Sequence, residues 1–249
     1  MSAIFSGCYQ QFDEVPSADD YNHLNITQRI YDAARSRYEL STFFPEPIAN
    51  EYNHIRDITS LCIALLCAET SETVHVLDVG GGFGVSFVEL LKRAQLNNFH
   101  YTVCEISRFV EYYRANPFFK ETNITIQESV AETVQRYALL ILGSSLQYFP
   151  NTTLAIQQLV ERAQNPNYIL LTHTPVTQNP SFVTAQINMD QKNIPNWIFN
   201  VDSLIDLFKQ NSYQCVYKSA IYREHLFDDF ENAEMHYRSA NLLFKKCFR

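Results

Sequence analysis

The chain has 249 residues, 46% of them apolar and 14% aromatic, with 27 acidic against 19 basic side chains and a formal net charge of −8. That apolar content supports a packed core and excludes a disordered chain, and the negative balance argues against a broad nucleic-acid footprint. Residues 1–25 are polar and acidic with no apolar h-region, so no signal peptide is expected, and no run of about 18 uncharged apolar residues marks a helical membrane span.

Residues 22–38 and 50–69 carry apolar side chains at helical spacing, separated by Phe43-Phe44-Pro45-Glu46-Pro47, where proline pushes the preceding residue to extended geometry. This predicts an N-terminal helical extension over 1–72, which either caps a sheet or walls a pocket. Val74–Val79 then reads as a strand that stops at Gly80-Gly81-Gly82-Phe83-Gly84, and a helical pattern follows at Val85, Phe87, Val88, Leu90 and Leu91. Strand, glycine turn and helix bring a ligand against bare backbone amides at a helix N-terminus. Asp78 adds a carboxylate beside that turn.

Downstream, strand-like runs recur at 100–106, 124–128, 138–143 and 168–173, with helical segments at about 84–95, 107–115 and 151–164. Such alternation predicts a parallel sheet covered on both faces. A helix near 201–210, capped by Asn200 or Asp202, leads to strands near 213–222 and 241–247 that can pair antiparallel across the acidic connection 224–236. Cys8, Cys62, Cys67, Cys104, Cys215 and Cys247 show no C-x-x-C pair. They read as reduced core thiols of a cytoplasmic protein, with no metal site.

The glycine spacing discriminates between nucleotide-binding classes. Dinucleotide folds use Gly-x-Gly-x-x-Gly, whereas Gly80, Gly82 and Gly84 read Gly-x-Gly-x-Gly and Val85 stands where that pattern wants Gly or Ala. Asp78-x-Gly80-x-Gly82-x-Gly84 resembles the first motif of class I S-adenosylmethionine-dependent methyltransferases, over roughly residues 74–249. The resemblance implies an α/β, Rossmann-like, seven-stranded and mostly parallel sheet, its last strand antiparallel, with helices on both faces. It further implies a cofactor-binding domain at 73–249 that holds S-adenosylmethionine, with Asp78 and the turn Gly80, Gly81, Gly82, Phe83 and Gly84 as contacts. Leu146-Gln147-Tyr148 and the aromatic-Asn segment Trp197-Ile198-Phe199-Asn200 are similar to a poorly characterised methyltransferase subfamily.

Ligands of open α/β sheets sit at the carboxyl ends of the strands, so those ends supply the other candidates. Glu105 ends the second strand and is suited to accept hydrogen bonds from both ribose hydroxyls, with Ile106 on the adenine face. Glu128-Ser129 ends the third strand, where the family pattern implies a contact from Glu128 to the adenine amino group; Gln127 or Ser129 takes that place if the register differs by one. After the fourth strand, Ser144 permits close approach, and Gln147 and Tyr148 can reach into the cleft. His173 ends the fifth and is a candidate proton acceptor, or a structural histidine; His225 and His236 are weaker candidates. Residues 176–199 read as a long polar excursion, carrying Gln178, Gln186, Asn188 and Trp197, for acceptor recognition or a lid.

Methyl transfer needs chiefly alignment and exclusion of water, so the lack of a triad or metal cluster is no objection. The expected partner is a small-molecule acceptor, O-methylation being one form, with no nucleic acid and no membrane; the sequence leaves the oligomeric state open. Asn165-Pro166-Asn167-Tyr168 and Asn116-Pro117-Phe118-Phe119 look like the Asn-Pro-Pro-aromatic motif of amino-methylating enzymes, but neither follows the fourth strand. The rival readings are an NAD(P)-dependent Rossmann oxidoreductase, for which no Tyr-x-x-x-Lys pair is present, and a non-catalytic methyltransferase-like binding module.

Overall fold

The computed structural model describes residues 5–19, 24–39, 52–128, 136–187, 193–222 and 238–247. Five parallel strands follow the expected runs: β2 (Val74–Val79), β3 (Phe99–Cys104), β4 (Ile124–Gln127), β5 (Leu139–Gly143) and β6 (Tyr168–Thr177). At the tail, β10 (Arg238–Lys246) runs antiparallel to both β6 and β9 (Tyr213–Tyr222). The spatial order β4-β3-β2-β5-β6-β10-β9 is the seven-stranded sheet expected from the sequence, with its final strand reversed. Strand order changes direction between β2 and β5, and this switch point opens the crevice used by open α/β sheets.

The sheet is buried on both faces, which is why its strands read as near-continuous apolar runs. Adjacent residues of β2 face opposite cores. Leu77 packs with Leu140, Leu171 and Phe244 beneath α5 (Thr152–Arg162) and α6 (Val201–Gln210). Val76 packs with Tyr101, Leu139 and Leu170 beneath α2 (Tyr52–Ala68) and α3 (Val85–Arg93). Asn151 caps α5 by accepting from the Leu154 amide at 3.0 Å, and Asn200 caps α6 by accepting from Ser203 at 2.9 Å. Asn200, not Asp202, therefore opens that helix.

Three further strands extend the expected sheet. β7 (Phe182–Ile187) and β8 (Asn193–Asn200) occupy the stretch expected to be a polar excursion, and β1 (Phe5–Tyr9) lies in the segment expected to be a helical extension. They form an antiparallel layer in the order β1-β7-β8, joined to β6 through Val176↔Phe199 and Thr177↔Asn200. Hydropathy missed them because their polar side chains are buried with partners. Thr184 is fully buried and donates to the Ser6 carbonyl at 3.1 Å, and buried Asn196 donates to the Trp197 carbonyl at 3.1 Å. Residues on either side of position 72 thus share one sheet.

Of the N-terminal helices, α1 (Leu24–Glu39) does more than cap. It lays Tyr31 and Ala34 against Phe83 and Phe109, the Tyr31 and Phe83 rings meeting edge-on with centroids 5.3 Å apart. The Tyr31 hydroxyl also donates to the Asn116 carbonyl at 2.7 Å. Tyr31→Ala is expected to cost about 3–5 kcal/mol, the usual range for emptying a buried aromatic site. Denaturant titration checks this, and a midpoint equal to the parent's would show that α1 docks without that ring.

All six cysteines are free, yet only Cys67 and Cys104 are buried; Cys62 and Cys215 are half-buried and Cys8 and Cys247 exposed. The expectation of core thiols holds only for the buried pair. No helix among the described residues is long and apolar enough to cross a membrane.

Candidate functional site

The turn after β2 is built tightly. Gly80 has φ +74°, in the left-handed region, and a Cβ placed there would lie 2.5 Å from Ser145 Cβ. Ser145 is held in turn by donating to the Val79 carbonyl at 2.6 Å. A Cβ at Gly81 would lie 2.5 Å from a carboxylate oxygen of Asp78. Glycine is therefore needed at both positions for the turn to pack directly on Ser145 and Asp78.

A cleft of about 830 Å³ opens over this turn. Its floor is Gly80, Gly81 and Gly82; one side carries Glu105, Ile106 and Glu128, and the other Ser144 and Tyr148. The residues named from four different strand ends thus converge. Glu105 accepts from the Gly82 amide at 2.8 Å with one oxygen and from the Ile106 amide at 3.0 Å with the other. Burial pushes the Glu105 carboxyl up, and the two backbone donors offset part of that rise. Ile106 is 43% exposed, an apolar side chain facing the cleft. Glu128 accepts from the Ser107 hydroxyl at the start of α4 (Ser107–Ala115).

Other named residues stand behind the cleft wall. Phe83 is fully buried in the aromatic cluster, stacked on Phe109 with centroids 4.9 Å apart, and Gly84 opens α3. Gln147 is buried and donates to both the backbone and side-chain oxygens of Ser144, which holds φ +56°. The Tyr148 hydroxyl donates to Gln186 Oε1 at 2.7 Å, tying the cleft to β7. His173 does not line the cleft. It sits at a bulge in β6 with φ +57°, its amide donating to Asn241 Oδ1 at 3.2 Å and its Nδ1 2.8 Å from Ser239 Oγ. Gln127 pairs with Cys104 in the β3–β4 ladder. Ser129, Asn188, His225 and His236 lie outside the described residues.

Sequence reasoning missed Ile30, Ser107, Phe149 and Arg162, all of which line the cleft. Ile30 reaches it from α1, so that helix supplies one wall. Ser107 was readable, since it follows Glu105 and Ile106 at a helix start. Arg162 had no local signal: it ends α5, and only the fold brings that end to Glu128 and Cys104.

Beneath the turn lies a buried polar pair. Asp78 is 1% exposed; Tyr101, fully buried on β3, donates to its Oδ2 at 2.7 Å, while Oδ1 accepts no hydrogen bond. Burial pushes the Asp78 carboxyl up to about 7; the Tyr101 bond works against that rise and the Glu105 charge adds to it. In the unfolded chain the same carboxyl ionises near its ordinary value of 3.8. Between these values the folded state binds more protons than the unfolded one, so this group makes stability fall as pH rises through the window. Asp78→Asn removes the cost, and its melting temperature relative to the parent should climb between about pH 4 and about pH 8. A constant difference across that range would mean that Asp78 does not titrate there.

Among the described residues, no group of three or more His, Cys, Asp or Glu side chains could hold a metal ion. No protein-family model matches the chain, and no curated protein matches it. Solved structures do. They place this chain in the class I S-adenosylmethionine-dependent methyltransferase fold. Coclaurine N-methyltransferase, bound to N-methylheliamine and S-adenosylhomocysteine, is 13% identical with a TM-score of 0.57, covering 95% of this chain and 84% of its own. Magnesium protoporphyrin IX methyltransferase from Synechocystis, with S-adenosylhomocysteine, is 12% identical with a TM-score of 0.52, covering 90% and 99%. The cyclase SpnF is 11% identical with a TM-score of 0.57, covering 94% and 99%.

Proposed function

We propose that the chain is an S-adenosylmethionine-dependent methyltransferase acting on a small, largely apolar or aromatic acceptor, O-methylation being one form. The observation that carries this reading is the pairing of Glu105 with the Gly80–Gly82 turn at the sheet's switch point. Both carboxylate oxygens of Glu105 are already oriented by backbone donors and keep further lone pairs for ribose hydroxyls. The glycine turn fits the group as well: Gly80, Gly81 and Gly82 line the cleft and present no side chain to a ligand. Solved structures of this fold crystallised with S-adenosylhomocysteine support the same cofactor.

When bound, that cofactor supplies a methyl group on a positively charged sulfur, a leaving group needing no protonation. The protein's share is position and dryness. In this reading Glu105 grips the sugar, Ile106 covers the base, and Glu128 with Ser107 borders the base's edge. Ile30, Tyr148 and Phe149 then shape the acceptor side. Tyr148 lends its ring to that side while Gln186 holds its hydroxyl, and His173 is tied to Ser239 outside the cleft. A cleft of about 830 Å³ lies within the usual range for small-molecule sites.

Calorimetry with S-adenosylhomocysteine and with NADH tests the cofactor: the first should bind and the second should not. Since a cyclase shares this fold, the activity itself is read as labelled methyl moving from S-adenosylmethionine to an acceptor panel. Binding of NADH in place of S-adenosylhomocysteine would overturn the reading.

A further inference from the structure

A second cavity, about 610 Å³, lies next along the chain from the cleft: Tyr148 and Phe149 line the first, Pro150 to Thr153 the second. Its aromatic side is Trp197, stacked on Phe199 with centroids 6.2 Å apart at 20°, and joined by Phe12 at 5.9 Å. The Trp197 indole N–H donates to the Pro150 carbonyl at 3.3 Å, which fixes the ring. The rest of the lining combines neutral amides and hydroxyls, among them Gln10, Gln11, Asn151, Thr153 and Ser203, with apolar Pro150, Leu204 and Leu207. Asp13 is the one charged side chain among the described lining residues, and none is Lys, Arg or His.

We propose that this cavity binds a neutral saccharide, free or as the sugar of a glycoside, with one face of its ring on Trp197. A pyranose presents a face of C–H bonds whose slight positive character suits the negative face of an indole. Its hydroxyls both donate and accept, as do the amide and hydroxyl side chains around the ring. An anionic ligand finds no counter-charge here, only Asp13 on a chain of net charge −8. A cation would use Asp13 and the indole. However, Trp197 and Phe199 lie near-parallel and only Phe12, tilted 46° from Trp197, converges on them, one wall where a cage needs several. The cavity's volume is that of small-molecule sites.

Trp197 is the chain's single tryptophan, so its fluorescence reports this cavity without mutation. The probes are cellobiose, chitobiose, an aryl glucoside, glucose 6-phosphate and choline, titrated with and without saturating S-adenosylhomocysteine. A neutral sugar should give a saturable change with Kd on the order of 1 mM, whether or not the first cleft is filled. Gln11→Arg, at an exposed lining position, should weaken it at least about tenfold while leaving the melting curve in place. A stronger response to the aryl glucoside assigns a glycoside, and a stronger response to cellobiose or chitobiose a free sugar. The proposal is overturned if no neutral sugar gives saturation, if glucose 6-phosphate or choline binds as well, or if Gln11→Arg changes nothing. None of these outcomes touches cofactor binding in the other cleft, so the two readings stand or fall separately.

Discussion

Glu105→Ala should weaken S-adenosylhomocysteine binding at least about tenfold, since one charge-assisted hydrogen bond contributes roughly 1.5–3 kcal/mol and two are at stake. The same substitution strips the acceptors from the Gly82 and Ile106 amides, so the glycine turn loosens together with the sugar contact. Glu105→Gln should not rescue affinity. An amide offers one acceptor oxygen where the carboxylate offers two, and its NH₂ would face a backbone N–H. Glu105→Asp keeps the charge but is one methylene shorter, so it should recover little. Isothermal calorimetry on the three variants decides the matter. Affinity equal to the parent's in the alanine variant would remove Glu105 from the site.

The second large effect is expected at Gly80. An alanine there must hold φ near +74° and bring its Cβ to 2.5 Å from Ser145 Cβ. The left-handed conformation costs about 1–2 kcal/mol for a residue bearing a Cβ, and the overlap adds about 1–3 kcal/mol. Gly80→Ala should therefore lower the melting temperature and abolish detectable S-adenosylhomocysteine binding. The overlap is with a side chain, so it can be relieved separately. Ser145→Gly removes the clashing Cβ and also the hydroxyl that donates to Val79. In the Gly80→Ala, Ser145→Gly double variant the overlap cost should vanish while the backbone cost and the cost of the lost Val79 bond stay, so the double variant should be more stable than the sum of the two single effects. A double-mutant cycle measures this coupling, and strict additivity would mean that the two residues do not meet.

Both experiments bear on parts of the site that were legible in the chain. Asp78, the glycine run and Glu105 belong to a strand, a turn and the next strand's end, and each could be read from local periodicity. The roles of Asp78 and Phe83 were harder to read. Both lie in the motif, yet one is buried beneath the turn with Tyr101 and the other is core to α1. A motif marks neighbours in sequence, and alternation along β2 decides which of them face a ligand. His173 shows the same limit: it ends an apolar run, but the bulge opposite Asn241 ties it to β10.

Taken alone, the amino-acid order determined the alternating strands and helices, the glycine turn and the carboxylate at position 105. All of these are encoded within windows of a few residues, through period, glycine conformation and capping. Only the tertiary structure decided that residues 5–9, 182–187 and 193–200 pair into an added layer, because β1 meets β7 across most of the chain and Thr184 finds its partner at Ser6. It also decided that Ile30 and Arg162 reach the cleft and that Gln186 holds Tyr148. Those contacts join residues tens of positions apart, and no local pattern encodes them. They exist only because the folded sheet brings its elements together.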